Sequence, residues 1–230
     1  MRAPAQTYSF HTVAPLSTLV GALPSGLFAA LVAAILMAWS IFSPAASMTF
    51  STLTLPDGQR IVLAQGPVGV GDADRLLVAL KAADRDVSGY KILALDSPGG
   101  LIIEAFAMVD VMNKERVSTV VRPGGSCASA CAQVLFLSGS HRTIEGNGRI
   151  GLHSCHYAGD ESRSMMCNDL IAHNAQTHGT PYGAIMAFMH FTSATDMRWL
   201  SASEADCWGF TKWPAGPGGA ARPVPLKACS

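Results

Sequence analysis

The chain has 230 residues, enough for one domain with a sizeable core, whereas two full domains would leave each half small. Lys plus Arg and Asp plus Glu number 16 each, so no net field would hold a phosphate backbone, and nucleic acid is not an expected partner. The Cys and His residues show no paired CxxC or HExxH spacing that would close a metal shell, and neither a metal nor another cofactor is expected.

In chain order, residues 1–48 come first and differ from the rest. No Lys, Arg, Asp or Glu follows Arg2 until Asp57, and Leu27 to Phe42 is almost wholly apolar. The segment reads as a signal peptide, with Pro44-Ala45-Ala46-Ser47 as small residues suited to cleavage, or as an uncleaved membrane anchor. Either way residues 49 onward lie outside the cytoplasm, in the periplasm or facing the outside of the membrane. Thr49–Leu55 and Arg60–Ala64 alternate in hydrophobicity about Asp57-Gly58, which predicts a hairpin. A helix follows to about Arg85, with Asp72 as N-cap and Leu76, Leu77, Leu80 and Ala83 at helical spacing.

Lys91–Leu95 is a buried strand that stops at Asp96-Ser97-Pro98-Gly99-Gly100, and Ile102–Asn113 is the next helix. The pattern repeats with strand Val117–Val121, turn Arg122–Ser126 and an apolar helix Cys127–Leu137 that begins near Ser129. A strand Ile150–His153 follows the glycines at 146–148. Two helices span Arg163–His190 with a break at Gly179-Thr180-Pro181, and a capped helix Ser201–Cys207 leads to a last strand near Phe210. Strands alternating with helices predict a layered α/β fold with a largely parallel sheet over 49–213. Residues 214–230 form a tail with four prolines and three glycines.

Acyl transfer needs a nucleophile, a base and two donors aimed at the developing oxyanion. Ser129 sits between small residues in CASACA, where its hydroxyl would meet a helix N-terminus and the Ala130 N–H would point the same way. Gly100 ends SPGG, where the absence of a Cβ lets a backbone donor approach a ligand. His153 ends a strand and is the candidate base, with His141 and His156 as rivals. The six cysteines are either disulfides, which export would permit, or small buried hydrophobes, and spacing does not define their pairing.

Taken together, LDSPGG, CASACA, GLH and WLSASEADCWGF, in that order, resemble the proteolytic subunit of Clp protease over about residues 60 to 212. The C-x-S-A-C serine motif is most similar to secreted or periplasmic Clp-like proteins. The resemblance implies a ClpP/crotonase-like fold of stacked ββα units. It also implies a triad led by Ser129 and His153, an oxyanion hole from Gly100 and Ala130, a polypeptide substrate and a homo-oligomer. Alignment on Trp199-Leu200-Ser201 places Ser193 where the family has its Asp; Asp196 is the nearest carboxylate and Asp169 a weaker one. If neither serves, His153 is oriented by a backbone carbonyl or by nothing. The expected function is an exported serine peptidase with no ATPase partner, since ATP is absent outside the cytoplasm. The alternatives are a non-catalytic peptide-binding or scaffold domain and a crotonase-type enzyme acting on acyl thioesters.

Overall fold

The computed structural model describes residues 47–156, 163–214 and 229, all within the contact unit Ala45–Ser230. The apolar segment 1–46 and residues 215–228 of the tail lie outside the described residues. Among the described residues no helix is long and apolar enough to cross a membrane.

The predicted hairpin is β1 (Thr49–Thr54) against β2 (Arg60–Gln65), antiparallel. β3 (Lys91–Asp96), β4 (Val117–Val121) and β6 (Arg142–Ile144) then add in parallel, giving a sheet of order β1-β2-β3-β4-β6. β4 is buried along its whole length, as a central parallel strand of VSTVV composition should be. β5 (Ser126–Ala128) and β7 (Arg149–Leu152) pair in parallel, and β8 (Arg198–Ser201) closes a second, three-stranded sheet. Each repeat therefore places one strand in each sheet before its helix: β4, β5 and the turn from Cys131; β6, β7 and the helix from Met165. These are the stacked ββα units of the expected fold class, and their helices bury one face of the large sheet.

On that face α1 (Asp72–Lys81) contributes Leu76 and Leu80, and α2 (Ile102–Glu115) contributes Ala105, Met108 and Met112. α3 (Met165–Thr177) and α4 (Tyr182–Phe191) are the expected helical pair, and α5 (Ala202–Cys207) opens with Ser201 and Glu204 in a capping box.

Four local expectations change. Asp72 is the first residue of α1, preceded by Gly71 in the left-handed region, and its buried carboxylate accepts from Gly69 and Met48 N–H and from Arg75. A carboxylate that fastens two loops is held one position inside the helix instead of capping it. That helix also stops at Lys81, short of Arg85. The stretch from Cys127 is not a helix at its start, because Ser126–Ala128 pairs with Arg149–Gly151 as β5. The helical turn runs over Cys131–Leu135 with π-type bonding and tightens at Phe136–Ser138. The last strand near Phe210 reduces to a bridge between Lys212 and Arg142.

All six cysteines pair, as Cys127–Cys131, Cys155–Cys167 and Cys207–Cys229. The alternative of Cys127 and Cys131 as free hydrophobes on one helix face fails, because Cys127 belongs to a strand.

Arg142, at 1% exposure, is the largest fully buried side chain, and it donates to the carbonyls of Phe210, Leu137 and His178 at 2.8, 3.1 and 2.8 Å. It ties β6, the turn after Ser129, the end of α3 and the C-terminal segment together. Burial lowers its pKa to about 10, which leaves it charged at neutral pH. Removing it would orphan buried carbonyls, so Arg142→Met is expected to lower stability by about 3 kcal/mol or more. Urea denaturation is the check; an unchanged midpoint would contradict this role.

Candidate active site

Ser129 lies between β5 and the π-type turn with φ +54, a left-handed conformation that costs a non-glycine residue about 1–2 kcal/mol. The chain turns sharply there because both flanks are held. Ala128 N–H donates to Ser97 O at 2.9 Å and Ser129 N–H to Gly151 O at 3.0 Å, while Gln133 N–H donates back to Ser129 O at 2.8 Å. The Cys127–Cys131 disulfide spans the same turn, with both residues fully buried and their Cα atoms 5.3 Å apart. A strand-to-helix elbow of this kind projects its side chain away from the sheet.

The SPGG turn lies directly against this elbow. Ser97 pairs with Cys127 as a parallel bridge, its N–H bonding Ser126 O at 2.8 Å. A Cβ at Gly99 would stand 2.7 Å from Ser129 Cβ and 2.8 Å from Ala130 N, so only glycine fits between them. Gly100, at φ +146, is pressed on Val68, where a Cβ would meet the carbonyl oxygen at 2.3 Å. Val68 accepts from Leu101 and donates to Gly99, and Gly100 N–H makes no hydrogen bond to a described residue. Gly100 is an exposed residue whose amide is unspent among the described residues, one position after the glycine that packs on the first turn after Ser129, where helix-start amides also lack intrahelical acceptors.

His153 follows β7, whose Gly151 is the acceptor for Ser129 N–H, so serine and histidine stand at neighbouring strand ends. It is 7% exposed, and Nδ1 lies 3.1 Å from Ala194 O. Since a carbonyl accepts, Nδ1 carries the proton and Nε2 keeps its lone pair. Asp196 does not make this contact. It is exposed, and its carboxylate accepts from Ser193 Oγ at 3.0 Å. Asp169 is engaged on α3 by Tyr182 and His173. Of the rival histidines, His141 pairs with Ser118 beside Tyr90, away from this cluster, whereas the exposed His156 ring lies 5.8 Å from that of His153. Sequence reasoning missed Ala194, whose backbone carries the contact and whose side chain gives no signal, and Gln133, a lone polar residue in an apolar run.

No group of three or more His, Cys, Asp or Glu among the described residues is placed to hold a metal. Cavities of about 150 and 440 Å³ lie around His141, the first reaching Ile92 and Val120 and the second Tyr90 and Lys212. Neither is lined by Ser129 or His153; the candidate site rests instead on the main-chain bonds that join the Ser129 elbow to the SPGG turn and to β7, and among the described residues no hydrogen bond joins the Ser129 hydroxyl to His153. A hydroxyl on an elbow, an imidazole protonated at Nδ1 with its Nε2 lone pair available, and nearby amides are the kinds of group that acyl transfer uses.

The sequence matches the family described as Clp protease over residues 47–212. A solved structure, the ClpP protease catalytic domain from Plasmodium falciparum, superposes with a TM-score of 0.50 at 20% identity, covering 65% of this chain and 80% of that one. No curated protein matches the chain.

Burial, and then the nearby charge of His156, lower the His153 pKa below 6.5, outweighing the ring's interactions with the Ala194 and Ser154 backbone. The unfolded chain therefore binds the extra proton first. This residue's contribution to stability is complete above pH 6.5 and declines as pH falls below it. An NMR titration of the His153 ring should show a midpoint under 6.5, and His156→Gln should move it upward. A midpoint at or above 6.5 would contradict the burial.

Proposed function

This chain belongs to the Clp protease family, and on that premise we propose that it is an exported serine peptidase acting on polypeptide with Ser129 as nucleophile. His153 Nε2 accepts the hydroxyl proton as Oγ attacks the carbonyl carbon, then returns it to the leaving amine, and water repeats the cycle on the acyl-enzyme. The N–H groups of Gly100 and Ala130 hold the oxyanion. Ala194 O takes the orienting place of a triad carboxylate, keeping the imidazole in the tautomer that leaves Nε2 unprotonated.

The observation that carries this reading is the contact of the SPGG turn with the Ser129 elbow, where Gly99 packs on Ser129 and Ala130 and the next residue, Gly100, has an N–H with no acceptor among the described residues. Export is supported by the apolar N-terminal segment and by three disulfides, which persist in oxidising compartments. With no ATP outside the cytoplasm, an ATPase partner is not part of the proposal. A homo-oligomer is, on family membership alone.

One observation favours the alternative of a non-catalytic peptide-binding domain. A neutral carbonyl supports the imidazolium less than a carboxylate would, so a slower enzyme, or none, is the consequence. Labelling with a fluorophosphonate decides between them. Wild-type protein is expected to label at Ser129, and Ser129→Ala to lose labelling and about 10⁴-fold or more of peptide hydrolysis. A folded preparation that never labels would sink the peptidase reading.

Asp196→Asn separates the two possible orienting groups. With Ala194 O in that place, the variant should label within about twofold of wild type, as remote surface changes do. A loss of a hundredfold or more would restore Asp196 to the triad.

A further inference from the structure

We infer that Gln133 is a positioning residue that locks the backbone of Ser129 to that of His153; the inference rests on the peptidase reading above. Gln133 is 2% exposed, the one polar residue within the apolar stretch Cys131–Leu137. A buried amide is retained against its desolvation cost only where it is bonded. Its Nε2 donates to His153 O at 2.9 Å, and its own N–H donates to Ser129 O at 2.8 Å. Ser129 N–H in turn donates to Gly151 O at 3.0 Å, two residues before His153 on the same strand end.

These bonds close a ring that runs from Ser129 through Gln133 to His153, back along β7 to Gly151 and again to Ser129. Every link but one is backbone. The Gln133 side chain is the link that a single substitution can cut without changing the peptide chain. It acts on the base from the main-chain side while Ala194 O holds the ring from the other, so imidazole position is over-determined relative to the elbow.

The disulfide complements this arrangement. Cys127–Cys131 holds the turn that contains Ser129 across its mouth, and Gln133, two residues later, connects that turn to the histidine. Without the amide, His153 O would be left as a buried acceptor, and the residue would relax toward solvent.

The test compares fluorophosphonate labelling rates per folded molecule, across pH, for the full-length wild type and Gln133→Met, which keeps side-chain length without a donor. The labelling rate is expected to fall on the order of 10–100-fold, the cost of displacing a catalytic pair by about 1 Å. Its acid limb should move upward toward 6.5 as His153 is rehydrated. A merely structural role would lower the melting temperature and leave both readouts of the folded fraction unchanged, and that result overturns the inference. If Gln133→Met does not fold, Gln133→Asn, which keeps an amide one methylene short, takes its place. Slow labelling with a shifted limb supports the inference, and wild-type behaviour overturns it, as does a failure of both variants to fold. Wild-type protein is measured first, so that failure to label there sinks the peptidase reading itself and is not mistaken for an effect of Gln133.

Discussion

The rest of the structure depends on the parallel bridge between Ser97 and Cys127, where the end of β3 lies beside β5. It joins the large sheet to the small one, because β3 belongs to the first and β5 to the second. It also sets the SPGG turn against the strand end that leads to Ser129. The contact is possible only because Gly99 has no Cβ; any other residue would collide with Ala128 O, Ser129 Cβ and Ala130 N at once. One missing methyl group therefore makes fold assembly and site assembly the same event.

The Ser129 conformation follows from this constraint. A serine at φ +54 is unfavourable in isolation and persists where neighbouring bonds over-determine it. Here β5 is short, only Ser126–Ala128, and pairs with β7 on one side while Ser97 bonds it on the other. The helical turn beyond is wide at Cys131–Leu135 and narrows at Phe136–Ser138, as expected where a helix must start from a fixed, non-helical elbow. The buried disulfide across Cys127 and Cys131 adds a covalent restraint to the same few residues. Backbone strain thus falls on the half-buried serine that is the candidate nucleophile.

The histidine is held with less charge than a triad normally supplies. Its Nδ1 faces a carbonyl, and Asp196, close in sequence to that carbonyl, is turned to Ser193. A burial-lowered pKa keeps the imidazole neutral further into acid, which suits a base, while a neutral partner stabilises the imidazolium less in the transition state. On the proposed reading, the site would combine an unprotonated base with modest support for the charge that would form on it.

Much of this was legible from residue types in order. Period-two runs pointed to the hairpin, short apolar runs to the parallel strands and Pro/Gly punctuation to the turns, while Gly100, Ser129 and His153 stood out as candidates only through their order and spacing, which resemble those of the Clp protease family. What the residues left open was decided in three dimensions. Cys127 lies in a strand paired with β7 and not on a helix face, and its disulfide to Cys131 spans the turn that follows. The partner of His153 is a main-chain carbonyl, which every residue possesses, so no side chain could announce it. Local sequence determines which conformations and chemical groups are on offer; which donor meets which acceptor depends on packing between segments far apart in the chain, and only the tertiary structure decided that.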